Sequence, residues 1–175
     1  MLESKSFIIL IIIFQSALLG IVVYQQFIID HFAYSSTNST QPIRLTGPIN
    51  SLQFSSDGNV SWIVSGRWRM DANFDNAGIV PVTVRGFNAT LVAVSADGSK
   101  PERFYLSDFK QDSISYDNQT KTSTINGKLT MDFKAPIENI EVVLKLINKN
   151  ILAITLDQSK IKEQFGETPI YGIER

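Results

Sequence analysis

The 175-residue chain has no cysteine and a single histidine. Without a thiol there is no disulfide, no thiolate metal site and no cysteine nucleophile, so the fold must be held by its apolar core. The histidine, His31, lies two residues beyond the end of a long apolar run near the N-terminus. That position excludes a histidine-based nucleophilic triad and a multi-histidine metal site from the rest of the chain. Neither sign of charge dominates, because 16 basic residues nearly cancel 17 acidic ones. A nucleic-acid surface, which needs clustered positive charge, is therefore not expected. The chain also lacks a glycine-rich phosphate loop and, beyond the apolar run, any long amphipathic helical pattern.

What is present begins with that run. From Phe7 to Ile29 the chain reads FIILIIIFQSALLGIVVYQQFII, 23 residues without a charge. A helix of this length spans about 34 Å, enough for a hydrocarbon core of about 30 Å. Lys5 precedes it, while Asp30 and His31 follow, which favours a cytoplasmic N-terminus and an exported remainder. A cleaved signal peptide is the alternative, with Ala33 and Ser35 at the cleavage site, but its apolar core is usually only about 7–15 residues. The expectation is an uncleaved signal-anchor over residues 1–30, passing once through the cell membrane. Residues 34–47, YSSTNSTQPIRLTG, have the composition of a stalk, which places a linker over 31–47 and a domain outside the cytoplasm over 48–175. Four sequons, at Asn38, Asn59, Asn88 and Asn118, all lie beyond the anchor and fit a glycosylated exported surface.

Past the stalk the apolar period is two. In NVSWIVSGRWRMDA, Asn59 to Ala72, Val60, Trp62, Val64, Gly66, Trp68, Met70 and Ala72 share one face. Similar alternation recurs around Phe87–Ala93, Ile125–Phe133 and Ile140–Leu146. Shorter strands are expected at Ile49–Phe54, Arg103–Phe109, Ser113–Tyr116 and Ile151–Leu156. Asp57-Gly58, Asp97-Gly98, Asp117-Asn118 and Asn148-Lys149-Asn150 mark turns, and Gln158–Gln164 is long enough only for a helical turn. Seven or eight successive short strands predict an all-β fold, an immunoglobulin-like antiparallel β-sandwich.

Candidate functional residues are few. Asp108, Asp112, Asp117 and Asp132 are scattered without catalytic spacing, and Asp112, Asp117 and Asn118 lack the ligand ladder of a calcium loop. In Arg67-Trp68-Arg69 the alternation turns Trp68 inward and both arginines outward. Arg67 and Arg69 are either ordinary surface charge or a pair of guanidiniums able to grip a carboxylate or an acidic partner. The closing segment FGETPIYG, Phe165 to Gly172, has a turn-forming Gly166 and a stiff Pro169. Its reading is a structural lid with Phe165 and Tyr171 packed back on the domain; the rival reading makes both aromatics a recognition tail.

GRWRM (Gly66 to Met70), DGSKPERFYLSDFK (Asp97 to Lys110) and FGETPIYG together resemble a group of uncharacterised small exported or membrane-anchored β-proteins of ammonia-oxidising archaea. In that pattern a DG turn leads to a histidine-bearing strand, and His-Phe-Gly precedes Pro-Ile-Tyr-Gly. This chain has Pro101, Glu102, Arg103, Phe104 and Tyr105 in the strand, and Gln164 before the closing Phe-Gly. Any metal held by such histidines would find no ligand here, so no cofactor is expected. The functional expectation is a non-catalytic interaction or accessory module at the cell surface, beside a protein partner in a membrane complex. A carboxylate-based hydrolase, a small-ligand-binding domain and a structural envelope component are the alternatives.

Overall fold

The computed structural model describes residues 42–99, 101–161, 165 and 168–175. The expected anchor at residues 7–29 and most of the stalk lie outside the described residues. Among the described residues no helix is long and apolar enough to cross a membrane.

The period-two segments form eight strands: β1 (Ile43–Phe54), β2 (Val60–Phe74), β3 (Pro81–Ser95), β4 (Glu102–Asp117), β5 (Thr122–Phe133), β6 (Ala135–Ile147), β7 (Ile151–Leu156) and β8 (Ile170–Ile173). A single helical turn, α1 (Gln158–Ile161), lies between β7 and β8. β1 begins at Ile43, so residues 43–47 are strand although their composition is that of a stalk.

The β-sandwich expectation is overturned. Each strand pairs antiparallel with the next, and β8 pairs with both β7 and β1, giving one closed eight-stranded barrel. Alternation along a strand is the same whether a sheet stacks on another or curls on itself, so periodicity does not distinguish the two. The distinction lies in β8, inside the segment expected to act only as a lid. β4 also differs from expectation, since Arg103–Phe109 and Ser113–Tyr116 belong to one long strand. Asp108 sits there with φ of 53°, and the register against β5 shifts between Ser107 and Lys110, a bulge that bends the strand.

Turn chemistry matches the sequence. Asp57, Asp97 and Asp117 each accept a hydrogen bond from the amide two residues on, in Asn59, Ser99 and Gln119. Asn148 and Lys149 both have positive φ, the conformation that suits the twist of a tight hairpin.

The barrel is filled, not hollow. Met70, Leu91, Leu106, Met131, Leu144 and Ile154, from six different strands, are all buried inside it. Burying each such side chain is worth about 1.5–3 kcal/mol, which supplies the cohesion that disulfides would give elsewhere. Large residues are matched by missing ones. A Cβ on Gly127 would stand 2.6 Å from the Phe109 ring, and one on Gly172 would stand 2.7 Å from Trp68 Nε1.

One end of the barrel, where the β1–β2, β3–β4 and β7–β8 connections lie, is covered from within the chain. Phe165, 1% exposed, meets the Phe104 ring edge-on at 4.7 Å, and Phe104 lies 4.4 Å from Phe133. Ile161 and Ile170 are buried with them. Gln53 is fully buried and fully used: Nε2 donates to Ser51 Oγ at 2.8 Å and to the Pro169 carbonyl at 3.2 Å, and Oε1 accepts from Thr168 Oγ1 at 3.1 Å. This polar latch fixes Thr168 and Pro169 to β1 before β8 begins.

Candidate functional site on the outer wall

With the interior occupied by side chains, surface concavities are the places where the barrel can receive another molecule. One lies on the outer wall of β1, β2 and β3, with a volume of about 520 Å³. Its geometry follows from register. Thr46 pairs with Arg69 and Arg69 with Asn88; Pro48 pairs with Arg67 and Arg67 with Thr90. Two adjacent rungs therefore present their outward side chains side by side, and Arg175 lines the same recess from beyond β8.

The arginines differ in their commitments. Arg69 donates from Nε and Nη2 to Asp71 Oδ2, at 3.1 and 2.8 Å. Arg44 donates from Nε to Asp71 Oδ1 at 2.8 Å. The Arg44 bond, then the Arg69 bond, holds the Asp71 carboxyl below its ordinary value of 3.8, so it is ionised at neutral pH. Arg67 is exposed and, like Arg175, has no ion pair among the described residues. Counting Arg44, Arg67, Arg69 and Arg175 against Asp71, the patch has a surplus of positive charge on a wall that otherwise offers Thr46, Asn88 and Thr90 as neutral hydrogen-bonding groups. Beyond it toward the covered end, Leu52 (51% exposed) and Ile63 (50%) pair across β1 and β2, and Ile63 pairs with Val94. The Asn50–Ser65–Val92 rung separates this apolar rung from the basic recess.

Trp68, between the two arginines, is 2% exposed, and its Nε1 has no acceptor among the described residues. It occupies the space left by Gly47 and Gly172, so the recess sits directly over the seam where β8 closes the barrel.

The other sequence candidates are dispersed. Phe165 belongs to the buried end, as described. Tyr171 is 44% exposed and pairs with Ala153 on the outer wall, which corrects the expectation that both aromatics are buried in a lid: Ile170 and Gly172 are the inward residues of β8. Asn59 and Asn118 lie in exposed turns, where Asn59 donates to Asp57 and Asn118 accepts from Lys121 Nζ. Asn88 is exposed in the recess, and Asn38 lies outside the described residues. The four scattered aspartates do not converge. Asp112 and Asp117 are five residues apart along β4, about 17 Å of extended chain, and Asp117 is engaged by Thr120 and Gln119, which hold its carboxyl below the ordinary range. Asp157 is similarly lowered by Ser159. Among the described residues no group of three or more histidine, aspartate or glutamate side chains could hold a metal ion.

Sequence reasoning found Arg67 and Arg69 but missed their neighbours. Asn88 and Thr90 stood out only as parts of a sequon, and Arg175 gave no signal, because only strand register and barrel closure bring them to the arginines. Comparison with known proteins adds nothing to this geometry: no family model, no curated protein and no solved structure matches the chain.

Proposed function

We propose that this protein is a non-catalytic recognition module, carried at the cell surface by its N-terminal segment, that engages acidic groups of an envelope partner through the outer wall of β1–β3. The observation that carries this reading is the recess itself, where Arg67 and Arg175 have no ion pair among the described residues and stand beside three neutral hydrogen-bonding side chains. Guanidinium groups are the side chains best suited to fork onto carboxylate, sulfate or phosphate. On the same wall, past the Asn50–Ser65–Val92 rung, the Leu52–Ile63–Val94 rung supplies exposed apolar area, the second ingredient of a recognition surface. Because the lumen is packed, the outer wall is where binding has room to occur. The lead over an envelope component with a purely scaffolding role rests on this concentration of uncommitted charge at one place.

Affinity capture from native membranes, comparing the full chain with an Arg67→Glu/Arg175→Glu variant of unchanged melting temperature, tests the reading. Envelope material retained by the parent at low salt should be lost from the variant. Equal recovery with both chains would show that the recess is not the working surface.

A further inference from the structure

We infer that the recess reads an acidic saccharide, with its acid group on Arg67 and Arg175 and its hydroxyls on Thr46, Asn88 and Thr90. The inference rests on the reading of the recess as the working surface and names the chemistry that surface takes. Three observations lead to it. The volume, about 520 Å³, lies in the range of small-ligand sites and exceeds what one inorganic oxyanion fills. Apart from Arg69, which is held by Asp71, the polar lining divides into two classes, the guanidiniums of Arg67 and Arg175 and neutral amide or hydroxyl groups, as a ligand with one acid and several alcohols requires.

The third observation concerns the backbone. Extended peptides are commonly recognised through their main chain, by adding a strand to a free sheet edge. The central strand of this recess, β2, offers no such edge. At these rungs β2 is paired on both sides, with β1 and β3, and the Thr46 carbonyl is taken by the Arg175 amide at 2.9 Å. What remains for a ligand is side-chain hydrogen bonding and charge, which suits a polyol acid better than an extended peptide.

Asn88 and Thr90 also form a sequon, so a glycan built on Asn88 would start inside the recess and compete with an external ligand. The test therefore uses full chain made in a host without N-glycosylation and held in a non-ionic detergent. Glucuronate, acetate and glucose are titrated at matched ionic strength, followed by NMR or calorimetry. Glucuronate should bind about tenfold more tightly than either acetate or glucose, since each of these lacks one half of the recognition. Arg67→Gln/Arg175→Gln should remove the glucuronate response, while Lys145→Gln, on the opposite wall, should leave it intact. Shifts in the unaltered chain should centre on Thr46–Pro48, Arg67–Arg69 and Asn88–Thr90, a readout that survives if the double variant fails to fold.

Acetate matching glucuronate, a hexaglutamate peptide binding more tightly than glucuronate, or shifts centred elsewhere would each overturn the saccharide assignment. Those failures are separate from failure of the recognition reading. Loss of envelope capture in the charge-reversed variant without glucuronate binding leaves the recess as the working surface and removes the sugar. Glucuronate binding with unaffected capture does the reverse.

Discussion

The two sides of β1 are held in different ways. Toward β2 the strand pairs along its whole length, from Ile43 with Ala72 to Phe54 with Val60. Toward β8 it pairs at one place, Ile49 with Gly172. The first side is secured by a backbone ladder, and the second by side chains gathered around a short strand: Phe165 at the covered end, Gln53 on Pro169, and Trp68 against Gly172. A barrel can thus be closed by packing where the ladder is thin, and the closing side should be the more sensitive to single side-chain changes.

The largest effect expected is at Phe165. Phe165→Ala empties a buried aromatic site against Phe104, a loss typically worth about 3–5 kcal/mol, against a usual domain stability of about 5–15 kcal/mol. Thermal unfolding should show a drop of many degrees or no cooperative transition. Tyr171→Ala, half-exposed on the same segment, should shift the midpoint far less, and equal losses at the two positions would contradict the assigned orientation of β8.

Next comes the seam itself. Gly172→Ala places a methyl against the Trp68 indole, and overpacking of this kind costs about 1–3 kcal/mol. Trp68→Phe, which removes that part of the ring, should recover much of the loss when the two are combined. Strict additivity in that double-mutant cycle would mean that the two residues are not in contact.

A loss of similar size is expected from Gln53→Leu, which leaves the Pro169 carbonyl and Thr168 hydroxyl without this partner at a cost of about 1–3 kcal/mol. Chemical denaturation should register it as a lowered midpoint with unchanged slope, and no shift at all would remove the latch from the account of closure.

The smallest effect belongs to the ladder side, at the Arg44–Asp71–Arg69 cluster. Its three side chains are partly solvated, so Asp71→Asn should cost no more than about 1 kcal/mol. The folded Asp71 carboxyl lies below 3.8, so its stabilising contribution is present above that pH and lost as pH falls through the lower folded value. The parent should therefore lose stability on acidification below about pH 4, and Asp71→Asn should lose less over the same window. Parallel pH profiles for the two chains would show that this cluster adds nothing.

The difference between the two sides of β1 also explains what the sequence revealed. Ladder-side features are local: the alternation from Val60 to Ala72 marks β2, and Asp57-Gly58 marks its turn, so both are visible in a short window. The closure is non-local, and the four residues of β8 carry too little alternation to announce a strand. Its inward glycine, Gly172, acquires a reason only when Trp68 is placed beside it. The same holds for the recess. Arg67 and Arg69 are outward by parity alone, whereas Asn88, Thr90 and Arg175 join them through register and closure.

The meander also sets an order of assembly. Every ladder except one joins neighbours in the chain, and such hairpins form early because little chain entropy is lost in closing short loops. The exception joins Ile49 to Gly172, which are 123 residues apart (172 − 49). Until β8 has been synthesised and docked, the sheet carries two bare edges, along β1 and β7, of the kind that recruits stray strands. Closure is then the last event of folding and the first reversed. Amides of Ile170–Ile173 should exchange with solvent before those of β2 and β3, and the nascent protein is most exposed to mispairing in the interval before its shortest strand arrives.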